Sequence, residues 1–374
     1  MNFQRANASL MLALVHQASR PSKKLLQRLL TTRSIRGNIE TVKVIVYVLT
    51  IFRTPNYCLP MNQRKLDPKE EEEKKKNGWY EEQQKKTYST FAGFTYDFEK
   101  KLTFDDSPEE REKFFHKLMV EEGGFKYWLA TYDDMLFDQK ANDEAYNFWK
   151  KTVRKRIPDP KKAELLAPEK PPHPWGTKRP SLEQNFYEVV SQDHVDIIDI
   201  NADPIVGVTE KGIQTENGGV VEVDVIILAT GFDSVTGSLA QLNIQGTNGG
   251  TIADHWKDGT RTSMGIALNE FPNMFFVYGP QAPTAFSNGP SCTQIQAEWI
   301  EKTIRQLEKE KVERFEATAK SEEEWNKRMQ YVYTLMVSSA TTNTLKVTNG
   351  TSRCSHLQSR GIKDLIFLGR GWSR

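Results

Sequence analysis

The chain has 374 residues, 38% of them hydrophobic and 10% aromatic, which is enough for about two domains with real cores and too apolar for a disordered chain. Its 51 Lys+Arg and 49 Asp+Glu leave a formal charge of +2 with the basic residues scattered, so no electrostatic footprint for nucleic acid is present. Three cysteines far apart, Cys58, Cys292 and Cys354, exclude a disulfide framework and a zinc ribbon, and no apolar run approaches the roughly 20 residues of a membrane helix.

Residues 1–41 have no acidic side chain before Glu40, whereas Arg5, Arg20, Lys23, Lys24, Arg28, Arg33 and Arg36 are basic. That composition resembles a transit peptide and reads equally as an unstructured N-terminal segment. A disordered segment and a cytoplasmic location are expected, with mitochondrial import as the alternative. Val42 to Phe52 is β-branched and nearly continuous, as in a strand buried on both faces of a parallel sheet. Asp67-Pro68-Lys69-Glu70 then opens a helix by capping, and Glu70, Glu71 and Glu72 each face a lysine four residues on, which marks a solvated face. Ser107-Pro108-Glu109-Glu110 is a second capping box, before an apolar face of Phe114, Phe115, Leu118 and Met119 that Gly123-Gly124 ends. A third helix is predicted over Asp143 to about Arg156, and a fourth from Asp159-Pro160 to before Pro168. Residues 67–166 thus form a helical block, followed by a proline-rich turn segment from Ala167 to Pro174.

Downstream the period becomes that of strands. His194 to Ile200, Ile205 to Thr209 and Ile213 to Glu216 are strand-like, and Asn217-Gly218-Gly219 is a hairpin turn before a strand over Val220 to Leu228. A further strand is predicted at Met274 to Tyr278. Gln294 to Glu310 is an amphipathic helix, and Ser321 is expected to cap a last helix reaching about Tyr333. Strands followed by loops and helices indicate α/β architecture. His116, His194 and His255 show no convergent partner and read as surface or core residues; Trp256, Trp299 and Cys292 read as packing. No metal site is expected.

Open α/β sheets bind nucleotides at the carboxyl ends of their strands. The end that carries Ala229-Thr230-Gly231-Phe232-Asp233 resembles a segment of two-dinucleotide flavoproteins in which small residues let the backbone pass close to cofactor. Phe271 to Gly279-Pro280 resembles the last strand of their FAD domain, which leads to a helix whose N-terminus faces the flavin. With Arg53-Thr54-Pro55-Asn56, His173-Pro174-Trp175-Gly176-Thr177-Lys178-Arg179-Pro180, Leu182 to Tyr187, Thr236-Gly237 and Arg261-Thr262, the ordered set over about residues 50–335 resembles the Baeyer–Villiger flavin monooxygenases of the cyclohexanone and phenylacetone monooxygenase type.

The resemblance implies an α/β, partial two-dinucleotide-binding flavoprotein of FAD/NAD(P)-binding Rossmann type with a helical insertion. It implies FAD and NADP as cofactors and a small-molecule ketone and O2 as reactants, with no nucleic acid and no membrane as partner. Residues 42–219 would be the distal NADP-binding domain with the insertion, 220–337 the C-terminal part of the FAD-binding domain, and 338–374 a divergent tail. In this family NADPH reduces FAD, and the oxygenated flavin attacks a ketone carbonyl to give an ester or lactone. By the resemblance Arg179 is the catalytic cation beside the flavin, and Lys178, Arg53 and Thr54 hold the NADPH 2′-phosphate. Ala229, Thr230, Gly231, Gly279 and Pro280 contact cofactor, and Ser287 and Asn288 lie in the loop bordering flavin and substrate. Read alone, Lys178-Arg179 is an exposed loop pair and Arg53 a solvated strand-end charge.

Neither Gly-x-Gly-x-x-Gly turn that such a protein needs is present. The family fingerprint Phe-x-Gly-x-x-x-His-x-x-x-Trp begins at Phe91-Ala92-Gly93, but Asp97 and Lys101 occupy its His and Trp positions. The expectation is therefore an N-terminally truncated member. An N- or S-oxygenating flavin monooxygenase and a non-catalytic remnant that binds a partner are the alternatives.

Overall fold

The computed structural model describes residues 11–16, 47–52, 55–223, 225–229, 235–282 and 286–339. In chain order the elements are β1 (Met11–His16), β2 (Tyr47–Phe52), β3 (Cys58–Pro60), α1 (Pro68–Lys76), α2 (Trp79–Thr87), α3 (Pro108–His116), α4 (Lys126–Leu129), α5 (Gln139–Arg154) and α6 (Pro160–Leu166). They continue with β4 (Ser181–Glu183), α7 (Phe186–Val190), β5 (Val195–Asp199), β6 (Ile205–Thr209), β7 (Gly212–Thr215), β8 (Gly219–Glu222), β9 (Val225–Ala229), α8 (Gly237–Gln241), α9 (Ile252–His255), α10 (Gly289–Glu310) and α11 (Ala319–Ser339).

Helix starts follow local capping chemistry. Asp67 accepts from Lys69 N at 2.9 Å at the head of α1, a helix with no buried residue, and Glu70–Lys74 and Glu72–Lys76 ion pairs of 2.8 Å run along it. Ser107 and Glu110 close a reciprocal capping box on α3, which passes into a π-helical turn over Lys117–Glu122 ended by Gly123. Three helices begin away from the positions read in the sequence. α5 starts at Gln139 because Asp138 Oδ1 accepts from Ala141 N at 2.9 Å. α10 starts at Gly289 because Asn288 caps it. α11 starts at Ala319 because Thr318 Oγ1 accepts from Ser321 N at 3.1 Å, so Ser321 is not the cap.

Other sequence expectations need correction. Within the N-terminal segment expected to be disordered, Met11–His16 is a strand that runs antiparallel to both β2 and β9. In the same sheet β2 pairs with β5 in parallel, so among the described residues this sheet is mixed. Val220 to Leu228 is two strands in different sheets, since Val223 N turns to donate to Lys211 O at 3.0 Å. Met274 to Tyr278 is no strand: Phe276 N donates to Ile266 O and Tyr278 N to the Gln296 side chain, which leaves no ladder among the described residues.

The chain divides into two compact units, and the division is not linear. One comprises Met1–Cys58, Asn147–Pro172 and Glu183–Phe232; the other comprises Leu59–Tyr146, His173–Leu182 and Asp233–Arg374. The early part of the helical block therefore clusters with the C-terminal region and not with the strands around it.

The first unit contains the sheet of order β5-β2-β1-β9 and the antiparallel meander β6-β7-β8. Ile213 is buried at its core, packed by Ile198, Ile200, Ile205, Val221, Val223 and Ile226. Buried Trp149 donates to Cys58 O at 2.9 Å and takes the edge of Tyr57 at 4.8 Å. Arg156 forks onto Glu183 at 2.7 and 3.2 Å and onto Glu188 at 2.6 and 2.7 Å, with its guanidinium over the Tyr187 ring. Bidentate pairing of this kind fixes orientation as well as charge.

The second unit has two cores. Phe115, Tyr127, Tyr132 and Trp175 form a buried aromatic lattice with ring centroids 5.3 to 5.6 Å apart, and Tyr127 donates to Ala145 O at 2.7 Å. Ile252, Trp256, Leu268, Phe271 and Phe276 form the other. His255, read in the sequence as lacking a convergent partner, bonds buried Glu322 at 3.1 Å, which also accepts from Asn269 N at 2.6 Å. Glu322 raises the His255 pKa above the ordinary 6.5, with burial opposing it.

Two predictions follow from these ion pairs. Arg156→Met strands the Glu183 carboxylate, which is only 4% exposed, and is expected to cost about 3 kcal/mol in urea unfolding. For His255 the raised folded pKa makes its stabilisation complete below pH 6.5 and progressively lost as pH rises through the folded value. Melting temperature measured across that window should fall with rising pH, and His255→Gln should remove that part of the slope.

Candidate functional site

The segment His173 to Pro180 is held by its own turn and by α5. Trp175 N donates to Asn142 Oδ1 at 2.7 Å and Asn142 Nδ2 donates back to Trp175 O at 2.9 Å. Gly176 has φ 73, and a Cβ there would lie 2.8 Å from Trp128 Nε1, which donates to Gly176 O at 3.0 Å. Only glycine satisfies both the left-handed backbone and this close approach. Thr177 Oγ1 closes the turn onto Pro174 O at 2.8 Å, and Lys178 and Arg179 leave it as exposed residues before buried Pro180.

Arg179 lies with its guanidinium carbon 4.6 Å from the centroid of the Phe125 ring. Phe125 meets Phe94 and Trp128 edge-on at 6.0 and 5.7 Å, and Phe94 stacks on Tyr96 at 5.3 Å. Burial pushes the Tyr96 phenol up to about 12, against the charge of Arg179, which pulls it down. Tyr278 is raised in the same way, by burial first and then by Cys292, again opposed by Arg179. Both phenols are therefore neutral hydrogen-bonding groups near neutral pH. Desolvation lowers the Lys178 pKa even though the residue as a whole is exposed.

The head of α10 is tied to the segment that precedes Phe94. Asn288 Oδ1 accepts from Ser291 N at 3.3 Å, Asn288 N donates to Ala92 O at 2.7 Å, and Ser291 Oγ donates to Gly93 O at 3.0 Å. Thus Phe91-Ala92-Gly93 is a seat for the α10 N-terminus. Asp97, at the His position of the fingerprint, accepts from Phe91 N and Phe98 N at 3.1 and 3.0 Å, and Lys101, at its Trp position, pairs with Asp106. Ser287 is fully buried beside Cys292, which is itself buried and whose thiol pKa is raised by that burial and lowered by Ser287, in keeping with a packing residue.

Gly279 and Pro280 are buried in a tight crossing. A Cβ on Gly279 would lie 2.5 Å from Gly265 O, and one on Gly265 would lie 2.4 Å from Ala282 N. Gln281 pins this crossing. Its Oε1 accepts from Thr262 N and Oγ1 at 3.0 Å, its Nε2 donates to Thr260 O at 2.8 Å, and its carbonyl accepts from Trp325 Nε1 at 3.1 Å.

Of the residues read from the sequence, Lys178, Arg179, Gly279, Pro280, Ser287 and Asn288 all belong to the second unit. Phe125 and Trp128, neither of which was singled out, connect Arg179 to Phe286, the neighbour of Ser287; Trp128 packs on Phe286 at 4.8 Å. The aromatic run after Gly123-Gly124 was the available signal for Phe125 and Trp128. Ala229 ends β9 in the first unit, opposite Met11. Arg53, Thr54, Thr230 and Gly231 lie outside the described residues. Among the described residues no cluster of His, Cys, Asp or Glu could hold a metal, and no helix is long and apolar enough to cross a membrane.

Comparison with known proteins gives a consistent pattern. No family model matches the chain. It is 44% identical over 289 residues to a cyclopentanone 1,2-monooxygenase of Comamonas sp. (strain NCIMB 9872), covering 77% of this chain and 51% of that protein. It is 40% identical over 219 residues to a cyclohexanone 1,2-monooxygenase of Acinetobacter sp., covering 59% and 39%. Among solved structures, OTEMO in complex with FAD and NADP superposes with a TM-score of 0.76 at 30% identity, covering 86% of this chain and 60% of that one. Cyclohexanone monooxygenase bound to epsilon-caprolactone gives 0.75 at 29% identity, covering 87% and 60%. The chain spans about half the length of the curated relatives it matches.

The Gly265 crossing yields a direct test. Gly265→Ala places a methyl against Ala282 backbone at φ 69 and is expected to cost about 2 kcal/mol or more, read from the urea midpoint.

Proposed function

Because this chain belongs to the Baeyer–Villiger flavin monooxygenase family, we propose that it acts in an FAD- and NADPH-dependent conversion of a ketone to an ester or lactone with O2. The observation that carries this reading is the placement of Arg179 over Phe125, with its charge acting on the neutral phenols of Tyr96 and Tyr278.

The residues fit the reacting end of such a site. Arg179 would supply guanidinium N–H donors and a delocalised positive charge, suited to a carbonyl oxygen that becomes an oxyanion as its carbon turns tetrahedral. Phe94 and Phe125 offer apolar surface that excludes water from the same place and favours an uncharged organic substrate. Tyr96 and Tyr278 remain protonated and add no negative charge near the developing anion. Lys178 is a cation in need of a counter-charge, which a nucleotide phosphate provides; Arg53 and Thr54 would complete that grip. When bound, NADPH supplies the hydride and the flavin supplies oxygen transfer. By the family resemblance, Gly279, Pro280, Ser287 and Asn288 would be the residues of this unit that border the flavin.

The phosphate end fits less well. The sequence contains no Gly-x-Gly-x-x-Gly turn, so nothing in it allows the close backbone approach that a dinucleotide pyrophosphate needs.

The test is turnover of NADPH by the full chain supplied with FAD and a cyclic ketone, with product identified by mass spectrometry. Lactone formation supports the reading; an N-oxide from an amine with no lactone, or no turnover at all, overturns it. Arg179→Ala should lower kcat by about 10²-fold or more. Lys178→Ala should weaken NADPH binding by about tenfold in an equilibrium titration.

A further inference from the structure

We propose that Phe125 is a positioning residue for Arg179: its ring is the platform that sets the direction of the guanidinium toward the substrate. The inference deepens the monooxygenase reading and rests on it for the role of Arg179.

Four observations on independent atoms support it. The guanidinium carbon is 4.6 Å from the ring centroid, within the range of a strong cation–π contact. The Phe125 backbone is fixed, since it is the residue from which α4 starts and its carbonyl accepts from Trp128 N at 3.0 Å and Leu129 N at 2.8 Å. The chain enters it through Gly123 and Gly124, both left-handed, and Gly124 N donates to Pro60 O at 2.7 Å. The ring itself is held edge-on by Phe94 and by fully buried Trp128.

Trp128 also donates to Gly176 O, three residues before Arg179. One rigid aromatic pair therefore fixes both ends of the arginine: Trp128 sets where its backbone leaves the turn, and Phe125 sets where its head group lies. A long flexible side chain loses rotamer freedom when ordered, and a ring face lowers that cost ahead of substrate binding. A contact through the ring face is made by the charge and not by an N–H group, so it does not itself consume a hydrogen-bond donor. A carboxylate in the same place would take up donors and offset the charge that an oxyanion needs.

The experiment uses the full chain with arginine Nε labelled by 15N, the Arg179 signal being assigned by its loss in Arg179→Lys. The expected result is a ring-current-shifted Arg179 signal that moves to the position of solvent-exposed arginines in Phe125→Leu and is retained in Phe125→Tyr. In protein supplied with FAD, NADPH and ketone, Phe125→Leu should lower kcat about tenfold with KM for NADPH within about twofold, and Phe125→Tyr should restore it. A merely structural role predicts equal loss in melting temperature and no selective effect on kcat. An Arg179 signal unmoved by Phe125→Leu, or an unchanged kcat in an active sample, overturns the proposal. If Phe125→Leu does not fold, Phe125→Trp decides it, since the larger ring must increase the Arg179 shift. Absence of turnover in the unsubstituted chain counts against the monooxygenase reading alone, because the Arg179 signal is read without cofactor.

Discussion

The second unit depends on one side chain, Trp128. It is fully buried, its indole N–H is spent on Gly176 O, its ring packs on Phe286, and its edge steadies Phe125. Three stretches remote in sequence are thereby held at one point: the end of the π-helical turn, the Gly-Thr-Lys-Arg loop and the loop before α10. A buried Trp that lacked a hydrogen-bond partner would carry a desolvation cost of about 1–3 kcal/mol, so the position of Gly176 is dictated as firmly by the indole as the reverse. With a methyl at 176 that contact would be impossible.

The electrostatics are built on that framework. Arg179 emerges from the Gly176 turn, and its charge opposes the burial that raises the pKa of the Tyr96 and Tyr278 phenols above an ordinary value at which they are already neutral. Lys178, next in line, is destabilised as a cation by desolvation. The two adjacent cations thus have different physical situations: one rests on a ring that welcomes its charge, and the other has its charged form disfavoured by desolvation. The first unit shows the contrasting solution, in which Arg156 is clamped by two carboxylates and serves structure.

What the sequence disclosed is uneven for a physical reason. The starts of α1, α3 and α6 were legible because Asp67, Ser107 and Asp159 cap N–H groups two or three residues away, and such bonds depend on little else. Met274 to Tyr278 had the aromatic and branched composition of a strand, but a strand requires a neighbour, and here Ile266 O and Gln296 take the backbone donors. Val220 to Leu228 looked continuous because both halves are β-branched, and composition is blind to the change of sheet between them. Phe91-Ala92-Gly93 was noticed for an incomplete fingerprint, while its contact with Ser291, 198 residues away, was invisible.

By itself the sequence determined the capped starts of α1, α3 and α6, the α/β class, the resemblance to the flavin monooxygenases and the presence of a Lys178-Arg179 pair after a tight turn. All of these are written in side chains that act within a few residues or in an ordered series along the chain. Only the tertiary structure decided that Phe125 lies under Arg179, that Asn142 and Trp175, 33 residues apart, exchange hydrogen bonds, and that the early helical block clusters with the C-terminal region. Those contacts arise when distant segments close on one another around a buried aromatic core, and no periodicity in the chain encodes which ring will meet which cation.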